Sequence, residues 1–223
     1  ISDRWFEVPS GEMLLRHIVE ISDKHDMEDT TVRGLRIISS NGRSVLDQMP
    51  IAEATSMYFW NRDEPQTSPD EESKLDREIR YVNDGSISGF EKHYLNFLRD
   101  TAMNAYANGR DKTGRIAVYQ VVDLISSVIQ KVGDQRVKFR LVRAGLYDLR
   151  LMSQAACENE IEGGFGFSGL ESIARNLQPQ RDEDLVEEIV DSVSEIIIGQ
   201  ATSGVLSLSI AMNVGLFGLD LGQ

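Results

Sequence analysis

The chain has 223 residues, 41% of them hydrophobic, and carries 36 acidic against 23 basic side chains for a formal net charge of −13. That length supports one large domain or two small ones with a real core, and the acidic excess argues against nucleic acid or anionic lipid as a partner while suiting a basic one. A single cysteine, Cys157, excludes an internal disulfide and a cysteine metal cluster. No basic-then-apolar leader occurs in the first 30 residues, and nothing in the sequence defines a localisation.

Residues 11–23 (GEMLLRHIVEISD) place Met13, Leu14, Ile18 and Ile21 on one helical face, with Ser10 as N-cap. Asp29-Thr30-Thr31 caps a segment that runs through Ile38 and stops at Asn41-Gly42. Two readings compete at that dipeptide: a two-residue hairpin turn, or the end of one helix and the start of another. The stretch 33–38 lacks clean alternation, which favours helices. Residues 51–60 read as helix, and 61–72 (NRDEPQTSPDEE), with Pro65 and Pro69, as the best linker.

A short helix over 73–82 and a turn at 83–86 follow, then three longer helices over 89–108, 113–132 and 135–154. In the second of these Ile116, Val118, Val121, Val122, Leu124, Ile125, Val128 and Ile129 cover more than half the circumference, so it is expected at the centre of the core. Residues 162–168 (EGGFGFS) break the pattern, and helices resume over 170–177 and 182–198. The expected fold class is mainly α: a multi-helix globular body of about eight helices with a C-terminal β-strand or hairpin, α+β being the neighbouring class. Its expected parts are an N-terminal helical region (1–61), a linker (62–72), a helical core (73–199) and an uncharged tail (200–223).

The tail belongs to an uncharged run of 24 residues, Ile196 to Leu219, in a chain that is 26% charged overall. From Leu206 the residues alternate: Leu206, Leu208, Ile210, Met212, Val214 and Leu216 are interleaved with small or polar neighbours, and Phe217 continues the pattern one residue out of step. Period-2 alternation is a strand signature, and the slip suits a β-bulge. Residues 196–203 could supply the opposing strand; otherwise the partner strand comes from near the N-terminus or from another subunit. The rival is a helix, either buried within the protein or long enough to span a bilayer; Gln200, Thr202, Ser203, Ser207, Ser209 and Asn213 with acidic flanks disfavour the spanning form.

Candidate chemistry is sparse. Gly164 to Gly169 matches G-x-G-x-x-G, but the acidic CENEIE before it is a poor buried strand, so a loop is the better reading. Residues 109–120 echo a calcium loop while lacking acidic ligands at both ends, which favours an interhelical turn. Residues 29–49 have the length of a helix-turn-helix with Arg33, Arg36 and Arg43, against which the acidic total weighs. His17, His25 and His93 have no metal-ligand spacing, and Ser168 lacks the G-x-S-x-G frame. Carboxylates beside Cys157 disfavour a thiolate. No cofactor or metal is expected, and the enzyme reading is the weaker one.

Arg136, Arg140, Arg143 and Arg150, with Tyr147, fall at spacings of four, three, four and three and form a stripe on one helical face. Four guanidinium forks could hold an acidic protein, a phosphate or a nucleic acid such as RNA. The acid-rich stretch 181–195 offers internal partners instead. The leading functional expectation is a non-enzymatic structural or assembly protein, a homo-oligomer or a subunit of a shell, coat or envelope complex. The tail residues Leu206, Leu208, Ile210, Met212, Val214, Leu216 and Phe217 would mediate association. The alternatives are insertion of the tail into a membrane, and a binding module built on the arginine stripe.

Overall fold

A computed structural model describes residues 10–60, 90–133, 135–161, 173, 177 and 183–203. The fold is mainly α, with six α-helices among the described residues: α1 (Ser10–Lys24), α2 (Glu28–Trp60), α3 (Asn96–Ala107), α4 (Asp111–Lys131), α5 (Gln135–Glu158) and α6 (Glu183–Thr202). A π-helical turn, Glu91–Leu95, leads directly into α3 and buries Tyr94 and Leu95. The segments 61–72, 73–82 and 162–168 lie outside the described residues, as does the proposed tail strand from Leu206 onward.

Helix α4 is the hub. It packs against α2, α3 and α5, while α1 covers α2 and α6 covers α5. Its sequence dictates that position: Val118, Val121, Leu124, Ile125 and Val128 are at most 2% exposed, a wider apolar arc than a surface helix carries. The centrality read from the sequence therefore holds.

Two sequence expectations do not. Helix α2 runs unbroken for 33 residues, straight through Asn41-Gly42, so that dipeptide makes neither a hairpin nor a helix boundary, and the helix-turn-helix over 29–49 is absent. The reason is packing. A Cβ placed on Gly42 would stand 3.0 Å from both Leu124 Cδ2 and Tyr94 Cδ1, so the missing side chain lets α2 approach α4 closely instead of letting the chain turn. The second correction concerns residues 196–203. They are not a strand opposite the tail: α6 continues through Ile196 to Thr202 with Ser203 in a turn.

Three helix ends share one stop. Asp26 (φ 56°), Gly109 (φ 68°) and Glu160 (φ 56°) are left-handed, and in each case the next amide reaches back to the last turn: Met27 N–H to Ser22 O at 2.8 Å, Arg110 N–H to Ala105 O at 2.8 Å, Ile161 N–H to Ala156 O at 3.0 Å. This is the Schellman motif, which satisfies otherwise unpaired terminal carbonyls. At Gly109 it makes the α3–α4 connection a tight turn with helix beginning at Asp111, so residues 109–120 do not form an extended ion-binding loop. Only Gly109 carries a sequence signal for this; Asp26 and Glu160 adopt the conformation without one.

Candidate functional site

Helix α1 is amphipathic, and such a helix ordinarily turns its apolar face to the core. Here Met13 (63%), Leu14 (61%), Ile18 (41%) and Ile21 (48%) are exposed. The inward face carries Val19 and Ser22, both buried, together with the half-buried Leu15. Val19 sits against Gly34 of α2 so closely that a Cβ on Gly34 would overlap it.

Two charged residues of α1 are held against the body. Arg16 hydrogen-bonds the His93 carbonyl and meets His93 Nδ1 at 3.0 Å. Its guanidinium lies 5.3 Å from the Phe97 ring centroid and 5.8 Å from that of Tyr94, within cation–π range. Asp23 pairs with Arg110 at 2.9 Å, both side chains largely buried. Burial raises the Asp23 pKa above its usual range, Arg110 opposes that rise, and neighbouring Asp26 adds to it. Lys112 reaches Glu28 at 3.5 Å and Asp29 at 3.6 Å beside this pair. These polar anchors fix which side of α1 faces the body, leaving its largest apolar residues outside.

The arginine stripe forms within α5, and three of its members meet carboxylates. Arg140 reaches Glu91 at 3.3 Å, Arg143 reaches Glu188 at 3.6 Å, and Arg150 donates to Glu195 at 2.7 Å. Arg136 lies on the same helix, and Tyr147 is exposed between the pairs. The stripe thus ties α5 to α6 and to the π turn, through exposed pairs that each contribute about 0–1 kcal/mol.

One ionic cluster has no signal in the sequence. Asp148 of α5 is almost fully enclosed and accepts a 2.9 Å bond from Arg99 of α3, which also meets Asp100 at 2.8 Å and Asn96 at 3.2 Å. Burial pushes the Asp148 carboxyl up to about 6; Arg99 opposes that rise, and Asp100 and Glu91 reinforce it. A carboxyl titrating there has the acidity of a proton-transfer group, but at 3% side-chain exposure it is closed to a substrate.

Other candidates are dispersed. His17 pairs with Glu20 of its own helix at 3.4 Å, while His93 belongs to the Arg16 anchor. Cys157 is a half-buried free thiol. Among the described residues no three His, Cys, Asp or Glu side chains converge as metal ligands, and no helix is long and apolar enough to cross a membrane. The Gly164–Gly169 motif, with Ser168, and the tail residues Leu206, Leu208, Ile210, Met212, Val214, Leu216 and Phe217 lie outside the described residues. Neither a family model, a curated protein nor a solved structure matches the chain.

Proposed function

We propose that this chain is a non-enzymatic assembly subunit, a helical body that joins other protein subunits through apolar surface including its uncharged C-terminal run. The observation that carries the reading is the exposure of α6 where that run begins. It begins inside α6, whose Ile196 and Gln200 are buried against the core side, while Ile198 is 62% exposed and residues 201–203 are all exposed. The described end of α6 is therefore solvent-facing, and in the sequence 16 further residues without a charge follow it, Gly204 to Leu219. Apolar area of that extent favours cover by roughly 25 cal/mol per Å², and alternating apolar residues suit strand addition to a neighbouring chain.

The test uses the full-length chain carrying Leu208→Asp and Met212→Asp. Light scattering should show the assembled mass of the parent reduced at least twofold in the variant, with helical circular dichroism unchanged. An unchanged mass overturns the reading. Flotation of the parent with neutral phosphatidylcholine vesicles, abolished by the same substitutions, overturns it in favour of membrane insertion.

A further inference from the structure

We propose that the Asn108-Gly109 turn between α3 and α4 is a self-modifying site, where the folded chain converts Asn108 to aspartate and isoaspartate with water as co-reactant, and that this conversion loosens the anchor of α1.

The chain contains two Asn-Gly dipeptides, Asn41-Gly42 and Asn108-Gly109. In such a pair the glycine has no side chain to shield its amide nitrogen. That nitrogen attacks Cγ of the asparagine: the N–Cγ bond forms, the amide proton leaves, and the Cγ–Nδ2 bond breaks to release ammonia. Water then opens the five-membered imide at one of its two carbonyls, giving aspartate or isoaspartate. The attack needs the asparagine ψ turned well away from its helical value, so that the glycine nitrogen faces Cγ. Opening of the backbone around the dipeptide therefore sets the rate.

The two dipeptides differ in what must open. Asn41 stands inside α2, and a Cβ on Gly42 would come within 3.0 Å of both Leu124 and Tyr94. Breaking the helix there disturbs Leu35, Ile38 and Leu46, all fully buried, so Asn41 is freed only when the body opens. Asn108 has already left the helix (φ −111°, ψ 14°) and is exposed, as is Gly109. A Cβ on Gly109 would meet nothing within 4 Å. What must open is one terminal turn: the bonds from Gly109 N–H to Tyr106 O at 3.1 Å and from Arg110 N–H to Ala105 O at 2.8 Å, and the bond from Asn108 Nδ2 to Asn104 O at 2.6 Å. Helix ends open at far lower cost than a packed helix interior.

Conversion reaches α1 through Arg110. Asn108 lines one cleft with Asp23, Asp26 and Arg110. Arg110 anchors α1 by its 2.9 Å pair with Asp23 and also reaches Asp26 at 3.7 Å. A carboxylate at position 108 brings a further negative charge to that guanidinium and competes with Asp23 for it. Isoaspartate in addition routes the main chain through the side-chain carbon, which lengthens the turn by an atom and displaces Arg110. Both products weaken the hold on α1.

The experiment incubates the full-length chain, folded and in urea, at mildly alkaline pH and body temperature. Peptide mapping follows both dipeptides, each conversion adding about 1 Da. In the folded chain Asn108 should convert at least tenfold faster than Asn41, whereas in urea the two rates should agree to within about threefold. A folded chain in which Asn108 stays unmodified, or converts no faster than Asn41, overturns the proposal. So does an equally large difference in urea, which places the cause in the sequence neighbours and not in the fold. Hydrogen exchange reads the second half: residues 10–24 of Asn108→Asp should exchange at least threefold faster than those of the parent, with α4 unchanged. Equal exchange overturns the link to α1.

Discussion

Helices α1 and α4 start from the same kind of sequence, an apolar stripe interrupted by charges, and reach opposite arrangements. In α4 the stripe faces three neighbouring helices, and Leu124 is fully buried. In α1 it faces outward, and the side toward the body is held by Val19 on Gly34, by Arg16 among His93, Tyr94 and Phe97, and by Asp23 on Arg110. Periodicity says that a stripe seeks cover. It does not say from which molecule the cover comes.

The largest expected difference between the two helices is the response to truncation. Leu124→Ala in α4 should cost about 3–4 kcal/mol, the loss of transfer free energy plus a cavity. Leu14→Ala in α1 should change the stability of the separated chain by less than about 0.5 kcal/mol. Urea unfolding at low micromolar concentration measures both. Equal losses would mean that the outer face of α1 is already covered within one chain.

The next effect separates two buried carboxylates, Asp148 in the central layer and Asp23 on α1. The folded-state pKa of Asp148 is raised from 3.8 to about 6, so the folded protein holds that proton more tightly than the unfolded chain. This contribution to stability is fully present below about pH 4 and is lost as pH rises through about 6, amounting to roughly 3 kcal/mol by pH 7. Asp148→Asn should remove that loss, so the variant gains stability relative to the parent between pH 4.5 and 7.5. Asp23 is raised for the same reason, with Arg110 opposing the rise as Arg99 does at Asp148, but its side chain is less enclosed, and Asp23→Asn should alter the slope less. Denaturant melts across that pH range compare them; a parallel pair of curves for Asp148→Asn and the parent would refute the assignment.

The smallest effect has opposite signs in the two helices. A Cβ on Gly114 of α4 would overlap the Tyr106 ring, whereas one on Gly11 of α1 meets nothing within 4 Å. Gly114→Ala should destabilise by about 1–3 kcal/mol through overpacking, and Gly11→Ala should stabilise by about 0.5 kcal/mol through helix propensity. Thermal melting of the two variants gives the signs directly.

Glycine shows why parts of the fold were legible and others were not. Gly109 ends α3 as its type suggests, through a positive φ of 68°. Gly42 looked like the same signal and is not: it sits within α2 so that Leu124 and Tyr94 can come close. Gly145 does the same on α5, where a Cβ would stand 2.6 Å from Ile125 Cγ1. A glycine that breaks a helix and one that lets two helices touch are the same letter, and only the neighbour across the crossing distinguishes them. The arginine stripe was legible as a line on one face, and its Glu188 and Glu195 partners lay within the acidic stretch that the composition already marked. The Arg99–Asp148 cluster was not, since the two residues are 49 apart and neither stands in a periodic pattern.

By itself the sequence determined the helical class, the central place of α4 and an uncharged run that begins at Ile196, because these follow from apolar periodicity and from where charges are absent. The tertiary structure decided that α2 is a single helix, that α6 carries the first turns of the uncharged run, and that α1 faces outward with its apolar side. The reason is common to all three. Each depends on close contacts between residues far apart in the chain, and these outweigh local preferences that are small per residue.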